Sequence, residues 1–353
     1  MKTNAKILIC YNSPVSIFTI YNGKPFEESS QKNDLSESAF ERDLERIVNS
    51  LKDHFTDVDI FAANGNIERT ISEINKQFPD VIFNFVETIE GVASYEYCFA
   101  GVYELLGINY TGNTPITLGN CLNKERTKNI LRSFNIPTPN SKIIRLNDKV
   151  SNKNFNLKFP VILKLLTEDA SIGISELSVV NDLAGLRKQL KFLFETYNQD
   201  VIAEEYINGR ELNVAILGDR ILPISEILFK GLPKGLPKII TYDSKWMEDS
   251  VYYQNTIPSC PAKLNKKIQK NIEAVALSAY QAINCRDYAR VDIRLDKKGS
   301  PYVIEVNPNP DISTDSGFAR ASAAAGLTYS ELLKSIANFA LSRKRNDTKN
   351  KAS

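Results

Sequence analysis

The chain has 353 residues, which is too long for one ordinary hydrophobic core, so we expect two or three domains. Hydrophobic residues at 42% and charged residues at 24% are typical of a soluble globular protein, and the net charge of +2 favours neither nucleic acid nor an anionic membrane as a partner. The sequence has no apolar run of about 18 residues and no signal-peptide pattern, so neither a membrane span nor a leader is predicted.

The numbers and positions of the cysteines and the histidine exclude several classes of catalytic site. The five cysteines are scattered and form no CxxC pair, which indicates reduced thiols in a cytoplasmic protein. The single histidine, His54, lies in a helical pattern, so a Ser-His-Asp triad, a His-activated cysteine or a His-rich zinc site is not expected. Neither GxGxxG nor GxxxxGK[ST] occurs, so any nucleotide site must be built in another way.

Strands and helices alternate through residues 1–113, the first predicted domain. Strands are predicted at 6–10, 57–61, 80–86 and 108–111, and helices at 41–55, 67–78 and 95–106. This alternation predicts a parallel, doubly wound sheet, in which ligands sit at the carboxyl ends of the strands. Asn84, Glu87 and Glu90 follow the third strand and are therefore candidate site residues, with an ordinary polar loop as the alternative.

Residues 114–207 are the second predicted domain, a connection followed by a small α+β unit. A helix is expected over about 124–134, strands at 159–164, 176–180 and 201–206, and a helix after the capping residue Asp182. Lys164 ends a strand beside the polar loop 167–175, where a lysine can clamp phosphates; a plain surface lysine is the alternative.

Residues 208–342 are the third predicted domain. Strands are expected on both sides of Gly218-Asp219, and helices over 268–283 and from the capping box at Thr328 to about residue 341. The proline-rich stretch 229–260 lacks periodicity, which is typical of a mobile functional loop or of disorder. Residues 343–353 are expected to form a disordered basic tail.

Two strands within residues 288–311 carry the strongest signal. Polar and apolar residues alternate in ARVDIRLD, a turn signal follows, and YVIEVN reads as the return strand. With the loop at 297–300, Asp296 faces Pro301. Counting back along both strands, Asp292 then faces Glu305 and Arg290 faces Asn307.

Facing carboxylates indicate a bound cation. Side chains opposite each other have Cβ atoms roughly 5 Å apart, and two carboxylates at that distance repel by about 3 kcal/mol at an effective dielectric of about 20. The oxygens of Asp292, Glu305 and Asn307 suit a hard cation such as Mg²⁺, which is usually shared with substrate phosphates. The alternative is a solvated sheet face on which Arg290 and Arg294 neutralise the acids.

Taken in order, these motifs resemble the ATP-grasp superfamily and, within it, the D-alanine–D-alanine ligase family. The resemblance runs from about residue 80 to 341 and is strongest in VIAEEYINGREL and in RVDIRLD…YVIEVNPNP. It implies the ATP-grasp fold, which combines α/β and α+β parts: an N-terminal doubly wound parallel-sheet domain and two α+β subdomains that clamp ATP. It also implies a possible homodimer.

The resemblance further implies roles for individual residues. The positions that match the family's ATP-binding residues are Lys124, Lys164, Glu204, Glu205, Tyr206, Ile207, Glu211 and Lys245. Lys245 matches a lysine on a mobile loop that closes on the γ-phosphate. Asp292, Glu305 and Asn307 match the residues that bind two Mg²⁺ ions, or Mn²⁺ in their place, which agrees with the predicted strand register. Arg290 matches the arginine that stabilises the tetrahedral intermediate, and Ser316 matches the serine that holds the carboxylate of the acceptor.

Several positions depart from the family pattern, mainly around the donor substrate. The family's histidine falls at Glu87, its loop serine at Ala170, and its N-terminal glutamate motif is not visible in YNSPVSIFTI. Trp246 stands where tyrosine or phenylalanine is usual, and Asp311 stands where the family has a glycine near the oxyanion. These departures predict a donor other than D-alanine, and Glu87 with Glu90 indicates a donor with a positive group or hydroxyls.

The resemblance therefore predicts an ADP-forming ligase that joins a small carboxylate, through an acyl phosphate, to an amino acid or related amine. The alternatives are a true D-alanine–D-alanine ligase of peptidoglycan synthesis, a phosphotransferase that stops at a phosphorylated substrate, and a nucleotide-binding module without chemistry. Lys245, Arg290 and Ser316 beside the metal ligands argue against the last, because binding alone requires none of them.

Overall fold

The computed structural model describes residues 2–25 and 35–343. Within these ranges the strands form three β-sheets, one parallel and two antiparallel. No helix in the described ranges combines the length and the apolar character needed to cross a membrane.

The N-terminal sheet is parallel and covered on both faces. Its strands are β1 (Thr3–Asn12), β2 (Phe55–Ala63), β3 (Val81–Phe85) and β4 (Asn109–Tyr110), and its connecting helices are α1 (Leu35–Lys52), α2 (Ile67–Gln77) and α3 (Tyr95–Leu105). The strand order is β2-β1-β3-β4. Along β1, Ile7 and Ile9 enter one buried cluster while Leu8 and Cys10 enter another, because both faces of the sheet are packed. The doubly wound sheet predicted from the sequence is confirmed.

The first helix differs from the sequence prediction of 41–55. It spans Leu35–Lys52, and Phe55 is instead the fully buried first residue of β2. Phe55 fits the helical spacing because it lies four residues after Leu51. However, the chain leaves the helix at Asp53, and the carbonyl of His54 accepts a hydrogen bond from the Thr3 amide at 2.7 Å, which starts the new strand.

The second sheet belongs to the central part of the chain. Its elements are α4 (Pro115–Leu122), α5 (Lys124–Ser133), β5 (Ser141–Ile144), β6 (Val161–Leu165), β7 (Val179–Val180), α6 (Leu183–Tyr197) and β8 (Val201–Glu205). The strands are antiparallel in the order β5-β8-β6-β7, and α6 packs on them through its buried leucines. The strand predicted at 176–180 is wrong over its first half: residues 176–178 form a 3₁₀ turn, because the Ser175 hydroxyl caps it.

The third sheet is antiparallel and carries the predicted strand pair. Its strands are β9 (Gly209–Leu217), β10 (Arg220–Ile221), β11 (Ser225–Leu228), β12 (Ile257–Ser259), β13 (Tyr288–Asp296) and β14 (Pro301–Asn307). The accompanying helices are α7 (Tyr242–Trp246), α8 (Val251–Asn255), α9 (Lys266–Ala282), α10 (Gly317–Ala324) and α11 (Tyr329–Leu341). The central order β11-β9-β13-β14 places β13 between β9 and β14.

The stretch 229–260 is more regular than the sequence predicts, since it contains α7, α8 and β12. The Thr241 hydroxyl accepts a hydrogen bond from the Ser244 amide at 3.1 Å and so caps α7. The Ser250 hydroxyl caps α8 in the same way, through the Tyr253 amide at 3.0 Å. Side-chain caps therefore supply the local structure that hydrophobic periodicity does not reveal.

The C-terminal helix returns to the first sheet. Leu332, Leu333 and Ile336 of α11 share a buried cluster with Ile7 and Ile9 of β1. Arg343, which the sequence assigned to the basic tail, donates hydrogen bonds to the Asp287 carboxylate and to the Tyr110 carbonyl. Residues 344–353 lie outside the described ranges, and the domain boundaries at 113, 207 and 342 stay predictions.

Candidate active site

The predicted pairing of β13 with β14 is present at the candidate metal site. Arg290 pairs with Asn307 and Asp292 pairs with Glu305, as the sequence predicts. At the turn the prediction is wrong by one residue, because Leu295, not Asp296, pairs with Pro301. A β-bulge that passes over Ile304 absorbs this difference and restores the predicted register at the site.

The Asp292 carboxylate is held by three neighbours. Arg290 donates to both of its oxygens, at 2.8 and 2.9 Å. Asn213 of β9 donates to Oδ1 at 2.6 Å, and Asn307 donates to Oδ2 at 2.9 Å. Arg290 thus neutralises Asp292, in agreement with the alternative interpretation, but Asp292 itself is shielded from solvent, at 6% exposed.

The residues present fit a hard divalent cation shared with phosphates. Asp292, Glu305 and Asn307 offer only carboxylate and amide oxygens, which are ligands that Mg²⁺ prefers. Over the described ranges no group of three or more His, Cys, Asp or Glu side chains is arranged to hold a metal by itself. Two carboxylates and one amide leave ligand positions for phosphate oxygens.

Two lysines face these acids from other parts of the chain. The Lys124 ammonium, at the start of α5, lies 3.8 Å from Glu305 and 3.6 Å from Asp169 of the loop 167–175. Lys245 projects from α7 into the cleft, where the surrounding protein and then the Arg290 guanidinium lower its pKa, while Glu305 and Asp292 act in the opposite direction. The sequence-predicted lysines therefore converge on the predicted metal ligands.

Glu204 lies at the centre of a buried charge cluster with two lysines. Its carboxylate is 3.2 Å from the Lys164 ammonium and 3.3 Å from the Lys128 ammonium, and Glu204 and Lys128 are each 1% exposed. Burial acts to raise the pKa of Glu204, but the two ammonium groups outweigh it and the pKa is lowered. Burial lowers the pKa of Lys128 by more than Glu204 raises it. Burial also acts to lower the pKa of Lys164, but Glu204, Glu305 and Glu211 together outweigh it and the pKa is raised.

At the end of β8 and in the linker 206–208 that follows it, neighbouring side chains point in different directions. The Glu205 carboxylate accepts from the Asn140 side chain and from the Lys158 amide, each at 3.0 Å, so it points away from Glu204. Only its backbone is therefore placed to serve a nucleotide. The Tyr206 amide donates to the Pro160 carbonyl at 2.9 Å, which ties the linker to the strand that carries Lys164.

Arg294 joins this linker to β9. It donates to the Ile207 carbonyl at 3.0 Å, to Glu211 at 2.7 Å and to the Tyr206 hydroxyl at 3.2 Å. It also donates to the Lys238 carbonyl at 2.8 Å, and its guanidinium lies over the Tyr206 ring, 5.2 Å from the ring centre. Burial raises the pKa of Glu211, and Arg294 opposes that shift.

Ser316 and Asp311 lie in the loop and cap that precede α10. The Ser316 hydroxyl, 6% exposed, accepts from the Ala319 amide at 3.1 Å and caps the helix, so its own hydrogen remains for a ligand carboxylate. The Asp311 carboxylate accepts from the Ser313 amide at 2.7 Å and lies near Arg290, whose pKa it helps to raise.

The loop after β3 borders a small pocket next to the candidate site. Glu87, Tyr288 and Asp311 are among the residues that line this pocket. Glu96, at the start of α3, accepts from the Asn309 side chain at 3.2 Å; enclosure by the protein, then Asp169 and Glu87, raise its pKa well above the usual range. Asn84 also borders the pocket, but its buried oxygen accepts from the Tyr103 hydroxyl at 3.3 Å, which is a structural role.

The remaining sequence candidates lie at the margins of the site. Glu90 lies against Gly65, just beyond the end of β2, where a Cβ at Gly65 would come within 2.2 Å of its carboxylate. Trp246 lies beside Lys245 on α7, and its indole N–H donates to the Ala170 carbonyl at 3.2 Å. This contact places α7 against the loop 167–175.

Five further residues lie at the candidate site and were missed as functional candidates. They are Glu96, Lys128, Asp169, Asn213 and Arg294. Lys128 lies one helical turn after Lys124, so a second lysine on the same helix face was the available signal. Asn213 and Arg294 gain their partners through the β9–β13 pairing, which no local motif specifies.

Comparisons with known proteins agree with this geometry. A family model described as "D-ala D-ala ligase C-terminus" matches residues 130–338. An uncharacterized protein, y4sG, of Sinorhizobium fredii is 35% identical over 263 residues, which cover 74% of each chain. The D-alanine–D-alanine ligase of Nitrosospira multiformis is 31% identical over 240 residues, 68% of this chain and 74% of that protein.

Solved structures show the same fold. The structure of D-alanine–D-alanine ligase from Bacillus anthracis complexed with ATP superposes with a TM-score of 0.72 at 23% identity, covering 96% of this chain and 97% of that one. The ligase from Coxiella burnetii superposes with a TM-score of 0.69 at 18% identity, covering 99% of this chain and 97% of that one.

Proposed function

Because the chain belongs to the D-alanine–D-alanine ligase family, it is an ATP-grasp ligase that forms C–N bonds, and we propose that it joins a small carboxylate to an amine through an acyl phosphate. In this reaction the γ-phosphoryl group of ATP moves to the donor carboxylate, the amine of the acceptor attacks the acyl carbon, and ADP and phosphate leave. One observation carries the proposal: Asp292 faces Glu305 in the cleft where Lys124 and Lys245 converge.

The nucleotide is held, in this proposal, between the second and third sheets. Glu204, the backbone of Glu205, Tyr206 and Ile207 bind the adenine, and Glu211 accepts hydrogen bonds from the ribose hydroxyls. Lys124 and Lys164 neutralise the phosphates, and Lys245 covers the γ-phosphate from α7. Positioning and charge neutralisation do most of the work in phosphoryl transfer, so the reaction needs no histidine.

Asp292, Glu305 and Asn307 would hold Mg²⁺ together with the phosphates. When bound, Mg²⁺ supplies neutralisation of the charge on the β- and γ-phosphates. Arg290 lies beside these residues, where its guanidinium can hold the oxyanion that forms when the amine attacks. Enclosure of the site by α7 keeps water from the reactive acyl phosphate.

For the donor, we propose a carboxylate other than D-alanine. Glu87 lines the pocket on the donor side, and burial and then the Asp169 and Glu87 carboxylates raise the pKa of Glu96 beside it. A cationic group would relieve this repulsion between carboxylates, and hydroxyls could hydrogen-bond to the carboxyl groups, so the site favours a donor that carries one or the other. Ala170 stands where the resemblance implies a serine. For the acceptor, the Ser316 hydroxyl at the N-terminus of α10 is placed to receive the carboxylate of an amino acid.

A phosphate-release screen tests the function. Pairs of amino acids and small carboxylates are incubated with Mg·ATP, and each hit is checked for a coupled product by mass spectrometry. The proposal expects ADP release that requires both a carboxylate and an amine, with cationic or hydroxylated donors ahead of D-alanine. Release that needs the carboxylate alone, with a hydroxamate trapped by hydroxylamine, would instead identify a phosphotransferase. A cytoplasmic location and a homodimer stay predictions.

A further inference from the structure

Lys24 joins segments that are far apart in the sequence. It lies in residues 13–25, the arm that follows β1, and its ammonium is 2.7 Å from the Asp243 carboxylate of α7. The same ammonium is 3.1 Å from the Glu176 carboxylate, in the 3₁₀ turn that precedes β7. One side chain therefore links the arm after β1, the 3₁₀ turn before β7 and helix α7. We refer to Lys24, Asp243 and Glu176 as the clasp.

The clasp is shielded enough to matter energetically. The Asp243 side chain is 6% exposed, and those of Lys24 and Glu176 are 26% and 28% exposed. Burial acts to lower the pKa of Lys24, but its hydrogen bond to Asp243 and the charges of Asp243 and Glu176 raise the pKa overall. Removing one member of a shielded ion pair leaves its partner uncompensated, which costs far more than loss of a surface pair.

Backbone contacts around Lys24 fix the arm in place. The Gly173 amide donates to the Tyr21 carbonyl at 2.8 Å, and the Ser175 hydroxyl donates to the Gly23 carbonyl at 3.1 Å. Gly23 has a φ of +70°, and a Cβ there would meet the Gly173 carbonyl oxygen at 2.3 Å. The arm thus packs backbone to backbone on the loop 167–175, and these contacts hold the backbone next to Lys24 in place.

Asp243 lies two residues before Lys245 on the same short helix. The loop 167–175 supports that helix as well, since the Tyr242 amide donates to the Ile174 carbonyl at 3.0 Å and the Trp246 indole donates to the Ala170 carbonyl at 3.2 Å. Lys24 adds an ion pair to α7 from a third segment, the arm that follows β1.

We propose that Lys24 is a positioning residue that holds α7, and with it Lys245, closed over the phosphate end of the cleft. Lys24 acts through Asp243 and does not itself touch the substrates. The inference rests on the proposed role of Lys245, and it adds the N-terminal arm to the parts of the chain on which closure depends.

The single tryptophan of the chain, Trp246, reports on α7 directly. Acrylamide quenching of its fluorescence is measured in the full chain with saturating Mg²⁺ and a non-hydrolysable ATP analogue. In Lys24→Met we expect the quenching constant to rise about twofold or more, because the loop that carries Trp246 opens more often. Lys24→Arg keeps the charge and should recover most of the protection.

Lys76→Met is the matched control, because Lys76 also forms a 2.7 Å ion pair, with Glu73, but at the exposed end of α2. It should leave the quenching unchanged. Asp243→Asn preserves the shape of the clasp and removes one of its charges, so it tests the same contact if Lys24→Met does not fold. Quenching in both clasp variants equal to that of the unaltered protein overturns the proposal.

Turnover provides a second readout once substrates are known. In Lys24→Met we expect kcat to fall by roughly tenfold or more while the KM for ATP changes little, since misplacement of Lys245 affects the transferring phosphoryl group more than the bound nucleotide. The quenching assay needs only the nucleotide analogue. Failure of the ligase assignment would therefore leave the result on Lys24 intact, and the two failures can be told apart.

Discussion

Asp292 on β13 lies directly opposite Glu305 on β14, and this pairing depends on one irregular residue in the second strand. Near the turn Leu295 pairs with Pro301, and continued regular pairing would set Asp292 against Ile304 and Glu305 against Val291. Val291 is fully buried in the core, so Glu305 would then be directed away from the cleft. The bulge at Ile304 therefore turns the Glu305 carboxylate towards the site.

Glu305→Gln should weaken the dependence of turnover on Mg²⁺. The variant keeps the shape of the side chain but removes one of the two carboxylates proposed to bind Mg²⁺, so we expect the half-saturating Mg²⁺ concentration to rise by about tenfold or more. The measurement is phosphate release over a Mg²⁺ titration. Glu273→Gln, which alters a carboxylate on α9 that accepts from Gln269, is the control. An unchanged Mg²⁺ dependence in Glu305→Gln would remove this residue from the metal site.

Arg290→Ala should separate catalysis from nucleotide binding. The substitution removes a donor placed for the oxyanion, and such losses lower turnover by roughly 100-fold. It also releases both oxygens of Asp292, so Mg²⁺ should bind at least as tightly as before. Turnover is compared with the affinity for Mg²⁺ and an ATP analogue by calorimetry. Unchanged turnover, or loss of nucleotide affinity equal to the loss of turnover, contradicts the role assigned to Arg290.

The sequence allows much of this site to be predicted, because its key pair is local. Asp292 and Glu305 are separated by one turn, so alternation and a turn signal are enough to bring them together. The same holds for the N-terminal sheet, in which each of the first three strands is followed by a helix that hydrophobic periodicity predicts. At the turn the predicted pairing is wrong by one residue, and it is correct at the site only because of the bulge at Ile304.

Contacts between distant segments could not be predicted in this way. Asn213 reaches Asp292, and Arg294 reaches Glu211, only because β9 pairs with β13 across about 80 residues of sequence, a choice made by tertiary packing. Lys128 appears in the sequence as one more lysine on a polar helix, although it is fully buried against Glu204. The role of Lys128 follows from its contact with Glu204, and this contact cannot be read from the residue type.

Arg294→Met should weaken ATP binding, and more so at low pH. Arg294 opposes the upward pKa shift that burial imposes on Glu211, so its loss raises that pKa further. In the proposed nucleotide site, a protonated Glu211 can no longer accept hydrogen bonds from both ribose hydroxyls. We therefore expect the KM for ATP in the variant to increase as the pH falls from about 8 to 6, a range in which ordinary carboxyls stay ionised.

The same variant should discriminate less between ATP and 2′-deoxy-ATP, because the ribose contact is what it impairs. Arg210→Met is the matched control: Arg210 also binds a carboxylate at 2.6 Å, but that carboxylate belongs to Glu226 on the neighbouring strand β11, and Arg210 points to the opposite face of β9 from Glu211. A pH-independent KM in Arg294→Met would show that the arginine does not support Glu211.

Glu204→Gln should destabilise the protein, and the loss should shrink in acid. The substitution leaves the buried ammonium groups of Lys128 and Lys164 without their counter-ion, which costs about 3–5 kcal/mol for a buried pair. The folded-state pKa of Glu204 is lowered, so the ionised carboxylate contributes stability above its unfolded pKa of about 4.3, and that contribution disappears as the pH falls through the lower folded value.

Urea unfolding of Glu204→Gln and the unaltered protein between pH 7 and pH 3, a range of about 4 units that spans the carboxylate pKa, checks this expectation. The two midpoints should lie far apart at neutral pH and approach each other in acid. Glu195→Gln, which removes an exposed ion pair with Lys191 on α6, should change the stability by less than about 0.5 kcal/mol at any pH. If the difference in stability between Glu204→Gln and the unaltered protein does not change with pH, then the lysines do not keep Glu204 ionised.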